Sequence, residues 1–335
     1  MTENSPLCTK EELTRRVQLF THSDLDGAAS VVMAFNAEHW SRDEVTYEIC
    51  QYSGPKGIDI RVGEYLDKLE AEKEENVEHI LLMTDIGPSK ETCARIEQME
   101  EWFEEIIILD HHKSTLWAGG EKYPWFHHSG NSACGAKMAW NRFVSADEKK
   151  QFVGLAKATD AYDRWVLDSE NRERGENLNL LFKFLGFPKF VDEFSQNPDA
   201  DFESNMQFVL PVIRAGQKRA VRRSIELQLN NSAKDSFFFD KAGRKVALLI
   251  ADNDYVSQTG EQVLKDFPDV DYVAFILAAP GIMSLRSRNN GVDVAQIAEK
   301  FGGGGHSGAA GFPLEELRAA VLAVPAAKLD KLDDE

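Results

Sequence analysis

The sequence predicts an α/β fold: an N-terminal, mostly parallel sheet with helices on both faces, then a helical connector and a smaller C-terminal α/β domain. Three observations predict it. Short apolar runs without alternation, RVQLFTHSD (16–24), HILLMTDI (79–86) and EEIIILDHH (104–112), are spaced by helix-compatible stretches, as in parallel strands buried on both faces with helices as crossovers. A second set of such runs begins after residue 235. A long, locally basic amphipathic stretch separates the two sets. The chain of 335 residues suits two domains at roughly 100–200 residues each.

In order, strand 16–24 feeds a helix of small and apolar residues over 27–40. A second strand is expected at 45–52, a helix at 63–75, and buried strands at 79–86 and 104–112. From 133 to about 160 the pattern is helical, and SENRERGEN (169–177) reads as a polar loop before another helix. Residues 206–230, containing AGQKRAVRRSIE, read as the connecting amphipathic helix. Strands follow at 236–240, 245–252, 272–279 and 282–288, with helices at 258–267 and 292–301. The expected domains are 1–200, a connector at 201–234, and 235–335.

Lys and Arg total 38 against 56 Asp and Glu, a net charge of −18. Such a surface repels long polyanions and anionic membranes, which disfavours a DNA coat, a long duplex partner or a basic membrane anchor. A small phosphorylated ligand remains compatible, because carboxylates that hold divalent ions reverse the local sign. Cys8, Cys50, Cys93 and Cys134 are scattered without a C-x-x-C pair, which argues against a zinc ribbon or dithiol site and suits a reducing compartment. With no apolar leader and no membrane-length apolar run, a cytoplasmic location is expected.

In parallel sheets, ligands gather at the carboxyl ends of the strands. Asp24, Asp26, Asp85 and Asp110 all fall at such ends. In THSDLDG, His22, Asp24 and Asp26 alternate, so an extended backbone turns the three side chains to one side. Asp24 or Asp26 could instead simply cap the following helix. The triplet Asp110, His111 and His112 directly follows an apolar strand, and mixed carboxylate and imidazole ligands suit manganese, iron or zinc rather than calcium. Three strand ends delivering acids to one edge favour a metal site. His22, Asp24, Asp26, Asp85, Asp110, His111 and one later acid, Asp160 or Asp163 of ATDAYDRW, exceed what one transition ion accepts. Two ions about 4 Å apart would clamp an in-line phosphoryl displacement. Asp85, central among these ends, is the expected bridge, and an activated water the nucleophile.

The tract GGGGHSGAAGF (302–312) lacks the nucleoside triphosphatase pattern and its lysine. Without Cβ atoms, Gly303, Gly304 and Gly305 could form a backbone nest for a phosphate. Arg286 in SLRSR can pair with a phosphate in bidentate fashion, and His306 can stack on a base or donate to a phosphate.

Together HSDLDG, the lone Asp85 after ILLMT, the DHH triplet and GGGGHSGAAG resemble the DHH phosphoesterase superfamily, in the branch with a C-terminal DHH-associated domain. The resemblance runs from about Arg16 to Pro313. It implies metal ligands at His22, Asp24, Asp26, Asp85, Asp110 and His111, with His112 beside the scissile phosphate. It also implies substrate-holding positions at Arg286 and the 302–306 tract. The branch's fourth acid sits in a short motif that ATDAYDRW matches in part, at Asp160 or Asp163. A second adjacent pair, His127 and His128 in WFHHSG, is read as a loop feature.

The expectation is a two-metal phosphodiesterase of oligoribonuclease type, using two divalent ions, Mn2+ first with Mg2+ or Co2+ as alternatives. Its catalytic set is Asp85, Asp110 and His112. It would remove mononucleotides from short single-stranded RNA or DNA held across an interdomain cleft, and a homodimer is compatible. The same chemistry would serve 3′-phosphoadenosine 5′-phosphate or linear and cyclic dinucleotides. A non-catalytic, metal-dependent nucleotide-binding regulator is the reading from another class, and the full acid set speaks against it. An accessory module like those of alanyl-tRNA synthetase explains only the glycine end.

Overall fold

The structure, a computed structural model, describes residues 14–314 except 53, 73–75, 120–121, 167–169, 231–235, 252–254, 278–280 and 289. The chain divides into two compact units, 1–211 and 212–335.

In the first unit, β1 (Thr14–His22) leads into α1 (Leu25–Phe35). β2 (Val45–Cys50), α2 (Ile58–Glu72), β3 (Val77–Thr84), α3 (Lys90–Gln98), β4 (Glu105–Asp110) and β5 (Phe126–His128) follow. The five strands form a parallel sheet in the order β2-β1-β3-β4-β5. Because all run the same way, His22, Thr84 and Asp110 end at one edge. Alternation divides the strand side chains between two faces. Phe20, Leu81, Met83, Ile106 and Ile108 join Val62, Leu66, Cys93 and Ile96 of α2 and α3 in one core. The other face is covered by α1, with α4 (Gly135–Phe143) and α5 (Lys149–Asp163) beside it, then α6 (Arg172–Leu185) and α7 (Phe187–Gln196).

The fold class is therefore as the sequence predicts, with local differences. Residues 133–160 form two helices, α4 and α5, broken around Val144. The polar stretch 169–177, expected as a loop, is helical from Arg172. That side chain is buried, with its guanidinium 4.0 Å above the Trp165 ring and 3.1 Å from Glu176. Tertiary stacking outweighs the stretch's polar composition. His127 and His128 lie on a short strand, β5, whose pairing with Leu109 and Asp110 the sequence did not announce.

α8 (Ser204–Ile225) carries Pro211 inside it, and the division between units falls directly after that residue. In the second unit α8 ends in a π-helical turn, Glu226–Asn230, followed by β6 (Phe237–Phe239), β7 (Lys245–Ala251), α9 (Val256–Asp266), β8 (Tyr272–Leu277) and β9 (Ile282–Ser287). α10 (Val294–Glu299), β10 (Gly304–His306) and β11 (Ala309–Pro313) complete it. The six strands form a mixed sheet in the order β10-β11-β9-β8-β7-β6, in which only β7 and β8 are parallel. Val221, Ile225 and Leu229 pack with α9 on one face. Val294, Ala295 and Ala298 of α10 cover the other.

Part of the glycine tract is strand rather than loop. Gly304 and Gly305 belong to the edge strand β10, and close approach to β11 accounts for the missing side chains of Gly303 and Gly305. A Cβ on Gly303 would lie 2.0 Å from the Gly311 carbonyl oxygen, and Gly305, at φ +135°, would place one 2.6 Å from that of Ala309.

α5 and α6 approach so closely that a Cβ on Gly175 would stand 2.3 Å from the Ala158 carbonyl oxygen and 2.7 Å from Tyr162 Cβ. Gly175→Ala should therefore lower stability by about 1–3 kcal/mol through overpacking, read as a lower urea midpoint by circular dichroism.

Candidate metal centre

At the carboxyl edge of the first sheet, His22 ends β1 and its Nδ1 lies 2.8 Å from Asp24 Oδ2. Asp24 is the N-cap of α1, its Oδ1 accepting from the Gly27 amide at 3.1 Å. The capping role and the convergence with His22 thus coexist in one carboxylate. Gly27 is required there, because a Cβ would stand 2.1 Å from the His22 carbonyl oxygen.

Asp26, one residue into α1 from Leu25, is buried and accepts two amides from the start of α4, Gly135 N and Ala136 N, each at 2.7 Å. These are among the donors that a helix N-terminus cannot satisfy internally. The adjacent Cys134 amide donates to Asp160 at 2.9 Å. The first turn of α4 thus anchors two acids from distant parts of the chain.

Asp85 follows β3 in a left-handed conformation, φ +59°, which Asp tolerates better than most residues. Its amide still donates to Leu109 at 2.9 Å, so pairing with β4 continues while the side chain swings to the strand edge. Gly135 passes close above it: a Cβ there would lie 2.7 Å from Asp85 Cβ.

Asp110 ends β4 fully engaged. Oδ1 accepts from the His111 amide and from His112 Nδ1, both at 2.8 Å, and Oδ2 accepts from the Thr115 hydroxyl. His111 turns inward, its Nε2 lying 3.2 Å from Asp85, 3.6 Å from Asp26 and 3.4 Å from Asp163. His112 faces the other way, with the Tyr52 hydroxyl 2.9 Å from its Nε2.

Within the first unit, two groups of donor atoms result. Those of His22, Asp24 and Asp85 lie within 4.8 Å of one another, and so do those of Asp26, His111 and Asp163. Asp163 rather than Asp160 joins them, since Asp160 is held 2.8 Å from Lys137, 2.7 Å from Arg164 and by the Cys134 amide. Asp110, which the sequence reading counted both among the ligands and in the catalytic set, belongs to neither group of three, and its carboxylate bonds the His111–His112 turn.

Electrostatics set Asp85 and Asp163 apart. Burial, then the neighbouring carboxylates of Asp24 and Asp26, push the pKa of both well above the ordinary carboxylate range. For Asp110, burial opposes ionisation, but His112 outweighs it and holds the carboxyl far below that range. The His22 ring also loses water, yet Asp24 outweighs this loss and raises its pKa. Asp85 Oδ2 and Asp163 Oδ2 are buried and accept no hydrogen bond. Buried carboxylate oxygens without donors, clustered with two imidazoles, are the donor set of a hard to borderline divalent cation, so the residues fit such a group.

In the second unit, Arg286 on β9 is steadied by Ser284 Oγ at 2.9 Å, the Leu285 carbonyl at 2.8 Å and Ser257 Oγ at 3.3 Å. The register aligns Arg286 with Ala309 and Ala309 with His306. The Arg286 and His306 side chains therefore project from one face, two strands or about 10 Å apart.

Sequence reasoning missed Tyr52, Thr115 and the α4 amides. Only the last left a signal: the small residues of SACG directly before a helical stretch mark a helix start. His127 is exposed and His128 bonds to the His112 carbonyl oxygen at 2.8 Å.

No family model matches the chain. The fold and the constellation define the class: the chain has the fold of DHH-domain proteins. Over 93% of its length the structure superimposes on the DHH domain of a member of a family of ribosomal proteins (TM-score 0.61, 13% identity, 88% of that chain). It also superimposes on RecJ of Thermus thermophilus in complex with Mn2+ (TM-score 0.50, 16% identity, 90% of this chain and 51% of that one). Among characterised proteins, the chain is similar to oligoribonuclease NrnB of Bacillus subtilis, with 24% identity over 322 residues, covering 93% of this chain and 76% of that protein.

Asp160 and Asp163, three residues apart on α5, should respond oppositely to neutralisation. Asp160→Asn removes the negative charge and one of the two oxygens that accept from Lys137, Arg164 and an amide, and should cost about 1.5–3 kcal/mol. In EDTA, Asp163→Asn relieves like-charge crowding and should raise the urea midpoint. Equal losses in both variants would contradict the separation of the two acids.

Proposed function

We propose that the chain is a metal-dependent phosphodiesterase that hydrolyses short oligoribonucleotides to mononucleotides. The observation that carries this reading is the pair of three-residue donor groups at one sheet edge, with two buried carboxylate oxygens that no hydrogen bond satisfies. Similarity to an oligoribonuclease over most of the chain supports a hydrolytic nuclease or phosphodiesterase.

His22, Asp24 and Asp85 would hold one divalent ion, and Asp26, His111 and Asp163 a second. Asp85 reaches both groups, 3.8 Å from His22 Nδ1 and 3.2 Å from His111 Nε2, which supports it as the bridge. Bound ions, manganese before magnesium or cobalt, would supply Lewis acidity at the phosphoryl oxygens and a strong nucleophile from water at neutral pH.

The remaining work falls to the protein. Asp110 accepts from His112 Nδ1, fixing the ring so that Nε2 points outward beside the metal groups, where a scissile phosphate would lie. Thr115 and two backbone amides hold Asp110 in turn. The α4 amides hold and aim Asp26. Arg286, His306 and the 303–305 backbone would take a further phosphate or base of the substrate. A cytoplasmic setting belongs to the same proposal. Among the described residues no helix is long and apolar enough to cross a membrane.

Side-by-side turnover of RNA dimers, trimers and 24-mers, 3′-phosphoadenosine 5′-phosphate and linear and cyclic dinucleotides tests the reading. Dimers and trimers should be cleaved fastest, with activity lost in EDTA and restored by Mn2+. A 24-mer degraded as fast as a dimer would overturn it. Asp110→Ala should reduce turnover at least about 100-fold, the scale of a lost acid–base or positioning group, with an unchanged circular dichroism spectrum. Asp163→Asn should weaken Mn2+ binding by calorimetry, whereas Asp160→Asn should leave it nearly unchanged.

A further inference from the structure

The basic stretch singled out in the sequence plays no part in the chemistry above. α8 carries Arg214, Lys218, Arg219, Arg222 and Arg223 and no acidic residue, in a chain whose net charge is −18. Lys218, Arg219, Arg222 and Arg223 are all exposed. None of the four forms an ion pair among the described residues. Elsewhere arginines are largely neutralised: Arg15, Arg42, Arg61, Arg95, Arg142, Arg164, Arg174 and Arg244 each face a carboxylate. Among the described residues, exposed arginines outside ion pairs are thus concentrated on two turns of one helix.

Those turns are rigidly mounted. Val221, Ile225 and Leu229 are buried against Leu249, Val263 and Phe275. Just beyond, the Gln228 side chain bonds both backbone groups of Ile250, at 2.8 and 2.7 Å. Lys218 with Arg222, and Arg219 with Arg223, form two rows in which charges repeat about every 6 Å along the axis. The backbone beneath them is already ordered, so a ligand need order only side chains.

We propose that this face of α8 binds the phosphodiester backbone of single-stranded nucleic acid, holding a strand by its phosphates without reading its bases. The proposal rests on the oligonucleotide reading above and extends it to a second contact surface. Three of the four cations are arginines, whose planar forks match phosphate oxygens. A membrane fits less well, since a helix lying in a lipid interface needs its apolar face for insertion, and here Val221 and Ile225 are spent in the core. An acidic protein partner fits less well, since it would need apolar anchors among the charges, and the exposed apolar side chains Val212 and Leu227 stand before and after the quartet rather than within it.

The test is fluorescence anisotropy of a labelled 12-mer oligouridylate with the full chain in EDTA, where cleavage does not intervene, across 50–200 mM salt. The quadruple variant Lys218→Gln, Arg219→Gln, Arg222→Gln, Arg223→Gln should bind more than about tenfold more weakly at 50 mM salt. Its slope of log affinity against log salt should be shallower by about three, at roughly 0.7 per phosphate contact. A control variant, Lys241→Gln, Lys265→Gln, Lys300→Gln, removes three cations from elsewhere in the same unit and should bind like the parent. Equal weakening in both variants, unchanged binding in the quadruple variant, or no binding by the parent overturns the proposal. So does quartet-dependent binding to phosphatidylserine vesicles without binding to the oligonucleotide. These outcomes are independent of turnover: a chain that binds through the quartet yet cleaves no RNA defeats the catalytic reading alone.

Discussion

Mutual repulsion of carboxylates at one sheet edge is the constraint on which the rest of the first unit depends. Asp26, Asp85 and Asp110 are each no more than 1% exposed, and Asp24 and Asp163 stand beside them. At an effective dielectric of about 20, two like charges 4 Å apart repel by roughly 4 kcal/mol, so each buried acid needs its own answer. Asp24 has His22 and the α1 amide, Asp110 has His112, Thr115 and two amides, and Asp26 has the first turn of α4. Asp85 and Asp163 have only His111 to share, and each keeps a buried oxygen that accepts no hydrogen bond. This unevenness marks where a cation would be held more sharply than the number of acids does: a cation is wanted where the protein's own donors run out.

The backbone is shaped to the same end. Asp85 adopts a left-handed conformation at a strand exit, a strain of the kind that surrounding structure must hold in place, and continued pairing with Leu109 holds it. Gly135 lets α4 come down onto Asp85, and Gly27 lets α1 fold back on the end of β1. A Cβ on Gly87 would meet Thr115, Asp110 and Phe126 within 3 Å. The glycines sit where backbone must pass close to a site carboxylate or to the loop that supports one, so packing and electrostatics are solved at the same residues.

Much of this was legible in the sequence, and the illegible parts share a cause. Parallel strands announce themselves through apolar runs, and their shared direction makes the residues that end them neighbours. His22, Asp85 and Asp110 could be brought to one edge from pattern alone. What pattern cannot supply is which oxygen of an acid is already occupied. Asp160 and Asp163 are indistinguishable as letters three apart on a helix. Only the packing of Lys137 and Arg164 around Asp160 separates them. The engagement of Asp110 by the amides and side chains of its own turn is likewise invisible in DHH. The glycine tract carries a second reason for its composition that pattern did not show. Beside the backbone nest read from the sequence, the missing side chains of Gly303 and Gly305 allow two strands to approach closely. Tyr52, on a loop after β2, meets His112 through a contact 60 residues away in sequence, with no periodicity to betray it.

The charge of the chain gains meaning when divided by partnership rather than summed. The total of −18 argues against polyanions in general, yet it averages over three populations that behave differently. Acids of the site are mostly buried and gathered at one sheet edge, where divalent cations would reverse their sign. Most surface arginines are neutralised by carboxylates and project little field beyond a Debye length of about 8 Å at physiological salt. The α8 quartet is neither buried nor paired, so its field is the one a phosphate chain would meet at that surface. An acidic background then sharpens selectivity, because a strand that leaves the cationic rows meets repulsion on either side. Short fragments escape that penalty by their size, and longer strands escape it only along α8.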